Sequence, residues 1–484
     1  MEKYDVIVVG AGVSGLLAAL TLSKHGKKVL VLEKSRNLGG NCNSYMVDGF
    51  QVDTGAHAIT HLHEGPLRRL MDNYFEYLPV FEDYGHYYLR TEDNFMKVPS
   101  NLKDFVTFDM LPRKDRVVLS QAITKALTLS SFGFDLSGQS VYDSLPRNLS
   151  KDTYDFVDTI SGFLSGKSMK ETSAQRVLSG SSFVRDSITQ EQFDVMIGKI
   201  EPKRRQSTES ILESILPYNL HVSLKARVNR VSQPFTSLER LATNRVHYSQ
   251  GYPRKGLKSL LNAILYSMPK TVDIKTECEV KKILVRDGKV FGVEADEIHQ
   301  ANLVIHTGFA SDLPKLIKDL PAPYVEKLKE IVHTKSLSIW LGLDRELPEF
   351  NYTGSEIWFK DFPYWAMPIS NYDSSLTPKG KQLVGFSFVI DENKSEKSEK
   401  KKAYGTIFRA LPEIEKHIEM KHEQIMIPEK AAVTIDGYFA DIRAPIKNLY
   451  IAGTDTDKRS MGITRAAYSI IELLKILNED GNLY

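Results

Sequence analysis

The chain has 484 residues, 42% of them hydrophobic and 26% charged, with a formal net charge of +2. That is the composition of a globular protein too long for one simple core, so two or three domains are expected, and no apolar run approaches a membrane-spanning length. The only cysteines, Cys42 and Cys278, lack any CxxC spacing, which argues against a disulfide scaffold and a dithiol redox centre and makes a cytoplasmic location the default expectation.

The chain opens with Val6 to Val9, β-branched and apolar as a parallel strand buried on both faces must be. Glycines then interrupt the apolar run at Gly10, Gly12 and Gly15, where a signal peptide would continue. Leu16, Ala19, Leu20 and Ser23 recur at helical spacing, Gly26 closes that helix, and Val29 to Leu32 reads as a second buried strand. This is a βαβ unit with a GxGxxG turn. Gly10 makes the turn tight, Gly12 lets backbone approach a pyrophosphate, and Gly15 allows close helix–strand packing. Val13 and Ser14 open the helix, whose free amides and positive end suit phosphate. Glu33, 18 positions after Gly15 and followed by Lys34, is placed to accept hydrogen bonds from a ribose 2′-OH.

A second glycine pair, Gly39-Gly40, follows, then "DGFQVDTGAHAIT" from Asp48 to Thr60, and "NLYIAGTDTDKRSMGITRAAYS" from Asn448 to Ser469. On these motifs the sequence resembles the FAD-dependent phytoene desaturase-like family, which includes carotenoid desaturases, prolycopene isomerase-like and retinol saturase-like enzymes and is related to flavin amine oxidases. Gly39, Gly40, Gly49, Phe50, Asp53, Gly55, Gly453 and Gly462 match its pattern. The resemblance implies an α/β fold: a Rossmann-like, glutathione-reductase-like FAD-binding domain with an interleaved mixed-sheet and helical substrate domain. It also implies non-covalent FAD, because no cysteine follows Cys278 to form a cysteinyl–flavin bond near the C-terminus. Gly39, Gly40 and Asn41 fall beside the FAD phosphates, Val280 on the adenine side, and Gly453, Asp455, Gly462 and Ile463 along the C-terminal strand and the helix that points at the flavin ring.

Two positions depart from the family. Asn41 stands where the family usually has Arg, and Gly462-Ile463-Thr464-Arg465 replaces its common Gly-Ile-Pro-Gly. The resemblance covers the ends and much of the later half; residues 81 to 250 match only loosely. It implies a discontinuous cofactor domain of residues 1–75, 251–310 and 432–484, with residues 76–250 and 311–431 forming the substrate domain. Within these, the sequence predicts a helix from Leu257, strands around Val272 and Val280, an Asp287-Gly288 hairpin turn, and strands at Ser336 to Leu343 and Gln382 to Ile390. "DENKSEKSEKKK", Asp391 to Lys402, reads as a solvated loop or helix end.

The candidate chemistry centres on His57 and Arg465. His57 lies in the loop that the family places under the flavin. Arg465 stands one turn into the helix starting at Gly462, whose positive end would stabilise the reduced anionic flavin; Arg465 would add a full charge there or equally make a surface ion pair. His57, His61 and His63 have spacing that cannot put all three on one helix face, and no metal is expected there. Between Lys199 and Lys258, twelve basic residues face four acidic ones. A solvated face, an anionic membrane surface bound peripherally, and a phosphorylated substrate are the competing readings; no nucleic-acid motif accompanies the run. The resemblance implies desaturation, saturation or isomerisation of C=C bonds in a hydrophobic isoprenoid-like small molecule, with quinone or oxygen as electron acceptor. A flavin amine oxidase and a non-catalytic FAD-binding subunit are the alternatives.

Overall fold

The computed structural model of the chain describes residues 3–55, 57–99, 105, 107–131, 136–179, 188–200 and 250–484. Most of the basic stretch, residues 201–249, lies outside the described residues.

The opening unit forms as its pattern dictates. Strand β1 (Lys3–Val9) pairs in parallel with β2 (Val29–Leu32), and helix α1 (Val13–Lys24) connects them. Val6, Ile7, Val8 and all of β2 are buried, as expected of strands covered on both faces. Helix α1 is buried almost throughout, because α2 (Pro66–Tyr74), α3 (Leu257–Tyr266) and α4 (Gly462–Glu479) all pack against it.

The hairpin β3 (Ser44–Val47) and β4 (Phe50–Asp53) follows, and β5 (Phe81–Asp83) later pairs with β8 (Gly251–Pro253). Beyond β2 the first sheet continues in parallel to β9 (Val272–Lys275). On the other side of β1 lies β12 (Ile298–His306), parallel to it; the antiparallel pair β10 (Lys282–Arg286) and β11 (Lys289–Glu294) extends that edge. The short strand β18 (Leu449–Ile451) runs parallel to the end of β12 and delivers the C-terminal segment to the site. Asp287 and Gly288 join β10 to β11 with φ of 51° and 70°, the left-handed pair that a two-residue hairpin needs. Val280, expected in a strand, instead lies buried in the connection between β9 and β10. Its apolar side chain is used by the core without a ladder, so periodicity alone misplaced it.

The second sheet is mixed, in the order β17 (Ile418–Met426), β13 (Ser336–Leu343), β16 (Gln382–Val389), β15 (Tyr364–Met367), β14 (Gly354–Trp358), β6 (His86–Arg90), β7 (Phe95–Lys97). Only β14 and β6 pair in parallel. Its interior carries a fully partnered ion pair: Arg90 Nε and Nη2 donate to Glu356 at 2.8 and 2.6 Å, and the Tyr352 and Tyr364 hydroxyls donate to the same carboxylate. The lysine-rich run begins a helix, Glu396–Ala410, capped by Ser395. Among the described residues, no helix is long and apolar enough to cross a membrane.

Candidate functional site

Three segments meet at the C-terminal ends of β1, β12 and β18: the glycine turn, the loop after β4, and the start of α4. The glycine turn is held by close contacts. A Cβ on Gly15 would fall onto the Gly10 carbonyl oxygen and within 2.8 Å of Thr307 Oγ1, and Gly10 itself has φ of 103° against the same threonine. Gly12 behaves differently. It caps α1 with φ of −68°, makes no side-chain cap, and a Cβ there would meet nothing within 4 Å. An open space before the uncapped amides of Val13 and Ser14, with no acidic residue in the first helical turn, is what a phosphate-binding cradle requires.

Glu33 closes that cradle from the side. Its Oε2 accepts from Ala11 N–H at 2.7 Å and its Oε1 from Ser35 N–H at 2.8 Å, which ties the end of β2 to the glycine turn. Each carboxylate oxygen retains acceptor capacity for a ribose. Lys34 beside it is exposed. Gly39 pairs with Gly12 as an isolated bridge, and Gly39 and Gly40 both have positive φ. Asn41 donates through Nδ2 to Ile427 O at 2.8 Å, so it links this turn to the segment after β17. Cys42 is buried, and burial followed by the charge of Asp53 pushes its thiol up to about 12, the state of an inert packing residue.

Behind the far side of the site lies a group of buried polar residues that sequence patterns did not single out. Lys430 Nζ donates to the Thr307 and Gly308 carbonyls, and burial pulls its pKa below the ordinary lysine value. Asp455 is fully buried; its Oδ2 accepts from Ala310 N–H at 2.7 Å, while Oδ1 has no hydrogen-bond partner. Gly453 sits between them, its Cβ position 2.8 Å from Asp455 Oδ1 and 3.1 Å from Lys430 Nζ. A buried carboxylate oxygen without a donor fits a hydroxyl-bearing cofactor at this point. Val280 is buried within the connection between β9 and β10.

The seam between the loop after β4 and α4 is built from residues 400 or more positions apart. Thr60 Oγ1 lies 3.0 Å from Thr464 Oγ1 and 3.1 Å from Ser460 Oγ, and Thr464 donates back to the Thr60 carbonyl. The departure from the family's Pro-Gly thus supplies a cross-chain clasp. His57 Nε2 lies 2.9 Å from Thr54 O, and its Nδ1 is 3.9 Å from the Cβ position of Gly462. Burial pushes this imidazole below its ordinary pKa, against the Thr54 and Asn41 carbonyls, which favour the charged ring. Ile463 is buried in the core that covers α1.

The expected positive pole at Gly462 is not free. Gly462 N–H donates to Glu429 Oε1, and Arg465 Nη1 lies 3.0 Å from Glu429 Oε2. Arg465 is 1% exposed and also donates to the carbonyls of Ser460 and Ala431. Its charge is therefore paired inside the protein: of the two roles the sequence allows it, a full charge beside the flavin or a surface ion pair, it makes an ion pair, but a buried one. Glu429 carries no motif, and only the structure reveals it. His57, His61 and His63 do not form a ligand cluster; among the described residues, the convergent set is Cys278, Asp296 and His299.

A model of the flavin containing amine oxidoreductase family matches residues 13–468. The chain belongs to this family. Its cofactor is FAD, and its class of chemistry is flavin-dependent oxidation–reduction. The family member is similar to human all-trans-retinol 13,14-reductase, 46% identical over 70 residues, which are 14% of this chain and 12% of that protein. It is also similar to the chloroplastic prolycopene isomerase of Daucus carota, 23% identical over 407 residues, covering 79% of this chain and 61% of that one. Each match therefore spans less than two thirds of the relative's length. The crystal structure of an oxidoreductase from Methanosarcina mazei shares the fold, with TM-score 0.71 and 20% identity over 98% of this chain and 99% of that one.

Proposed function

We propose that this flavoprotein changes the carbon–carbon double bonds of a hydrophobic isoprenoid- or polyene-like molecule, by desaturation, saturation or isomerisation. The observation that carries the reading is the likeness to a prolycopene isomerase along 79% of the chain. The match to a retinol reductase supports it. The seam agrees with an uncharged substrate. Arg465 is met by Glu429, and His57 is held toward its neutral form, so no unpaired charge on these two groups asks for a charged partner.

In this reading the α1 amides after Gly12 bind the cofactor's pyrophosphate, Glu33 its ribose, and Asp455 Oδ1 accepts from one of its hydroxyls. Gly39, Gly40 and Asn41 flank the phosphates, and Gly453, Gly462 and Ile463 the remainder. Bound FAD supplies the hydride acceptor or donor. His57 is proposed to orient the reacting carbon; in support, its ring is held by Thr54 and its Nδ1 lies 3.9 Å from the Cβ position of Gly462. For desaturation, quinone or oxygen would re-oxidise the reduced flavin; for saturation an electron donor must reduce it, and isomerisation needs neither on balance; peripheral membrane contact would bring an apolar substrate to the protein.

The test is anaerobic bleaching of the flavin by polyprenyl and polyene donors, compared with primary and secondary amines; for the reverse direction, the reduced protein is offered polyenes and their products are analysed. Conversion of a polyene is the expected outcome. Bleaching by amines alone, with no polyene converted, would replace this reading with amine oxidation.

A further inference from the structure

We propose that Cys278, Asp296 and His299 form a binding site for a borderline divalent cation of the Zn²⁺ type, on the far side of β2 from the glycine turn. Cys278 Sγ lies 3.2 Å from Asp296 Oδ1, and His299 Nε2 lies 3.5 Å from the same oxygen. All three ligand atoms fall within 4.8 Å of one another. Ligands bound at about 2.0–2.3 Å around a tetrahedral zinc stand roughly 3.3–3.9 Å apart, so a small closure of this triangle suffices.

The second observation is His299 itself. It is 6% exposed, and its Nε2 is buried without a hydrogen bond, 3.5 Å from Asp296 Oδ1 and 3.8 Å from Glu297 Oε1. An imidazole nitrogen buried without a partner costs free energy, and a metal would satisfy it. The three side chains are also held by fixed backbone. Cys278 N–H donates to Glu33 O at 2.9 Å, and Asp296 and His299 flank the turn between β11 and β12, where Glu297 N–H donates to Asp296 Oδ1. Glu297 Oε1, paired with Lys275 at 3.1 Å, also stands 3.8 Å from His299 Nε2, and Asp296 is 65% exposed, so that side of the site is open to solvent for a water as fourth ligand.

The donor set selects the metal class. One thiolate, one imidazole and one carboxylate match Zn²⁺, Co²⁺ or Cd²⁺; Mg²⁺ and Ca²⁺ prefer all-oxygen shells. Thiolate and carboxylate together neutralise the dication. Cys278 must bind as the thiolate, so binding a cation forms the metal–sulfur bond and releases the thiol proton to solvent. Affinity should therefore fall as pH is lowered.

The experiment uses the full-length, FAD-loaded protein, stripped with a chelator and titrated with Co²⁺. One Co²⁺ per chain is expected, with tetrahedral d–d absorption at wavelengths longer than those of the oxidised flavin, abolished by stoichiometric Zn²⁺. The chain's only other thiol, Cys42, is buried and held up to about 12, so a thiolate-ligand signature reports Cys278. Cys278→Ser should abolish it. Asp296→Asn, at a side chain 65% exposed and so safe for the fold, should weaken binding at least tenfold. Flavin absorbance checks that each variant is folded. No bound Co²⁺ in the wild-type protein, or equal binding by folded Cys278→Ser, would overturn the proposal.

Discussion

At the glycine turn Glu33 and Thr307 hold the loop from outside, and the first amides of α1 are left without a side-chain cap. Residues Gly10 to Gly15 are neighbours in sequence, their side chains are absent or small, and the site consists of amides and empty space. The seam at Gly462 is made the opposite way. Glu429, Arg465, Thr464 and Thr60 come from three distant segments, and their side chains neutralise one another. The first arrangement leaves an electrostatic opening for an anion; the second closes one. The difference teaches that a helix N-terminus in this fold is a binding site only where the chain withholds its own carboxylate.

The largest expected effect belongs to the turn. Gly15→Ala puts a methyl group onto the Gly10 carbonyl, a backbone atom that cannot rotate away. A loss of more than about 3 kcal/mol is expected, beyond ordinary overpacking, read as a lowered urea midpoint together with loss of FAD. Tolerance would show that helix and turn are less tightly joined than the geometry indicates.

At the seam, Glu429→Gln leaves the Arg465 guanidinium buried with only carbonyls for company. Breaking a buried pair from one side costs about 3 kcal/mol, and Glu429→Gln/Arg465→Gln should recover part of it. The same pair should move the flavin reduction potential in opposite directions: upward in Glu429→Gln, where a negative neighbour is removed, and downward in Arg465→Gln. Shifts of the same sign would mean that neither charge faces the flavin.

Between the two regions stands Asp53, which holds β3, β8 and the start of α3 together. It accepts from Ser44 Oγ and Tyr252 OH, each at 2.6 Å, and from Leu257 N–H at 3.2 Å. Burial outweighs these bonds and raises its pKa to about 6. The folded protein thus binds this proton more tightly than the unfolded chain, whose aspartate titrates near about 3.9. The contribution is complete below about pH 4 and is lost as pH rises through about 6, a change of about 2–3 kcal/mol. In denaturation, Asp53→Asn, which cannot ionise, should gain on wild type by about 2–3 kcal/mol as pH rises across this window; a constant difference would mean that Asp53 stays ionised throughout.

What was legible follows the same division. The βαβ unit, Glu33, the helix at Leu257 and the strands at Ser336 and Gln382 are fixed by local pattern, and each formed where the sequence put it. Glu429 and Thr60 have no local signature, since their partners lie tens to hundreds of residues away. Arg465 was legible as a cation with a surface ion pair among its readings, but neither its partner Glu429 nor its burial was. Cys278 and His299 were separated by a whole hairpin, which hid their convergence. Local backbone sites can be read from spacing, whereas sites closed by side-chain pairing require the tertiary contact itself.

The smallest effect on stability should come from Gly12→Ala, and it separates binding from folding most cleanly. Gly15 and Gly12 are both motif glycines, yet only Gly15 is pressed by its surroundings. Gly12 has φ of −68° and ψ of 174°, backbone that alanine adopts without strain, and its Cβ would enter open space. Removing a glycine also restricts the unfolded chain, so the apoprotein should be unchanged or more stable by about 0.4–1 kcal/mol. If that open space is the pyrophosphate cradle, however, the methyl group occupies the path of close approach to the amides of α1. FAD affinity should then fall by at least tenfold while the urea midpoint of the apoprotein holds or rises. Loss of both together would mean that Gly12 serves packing, as Gly15 does; retention of both would move the phosphates away from α1.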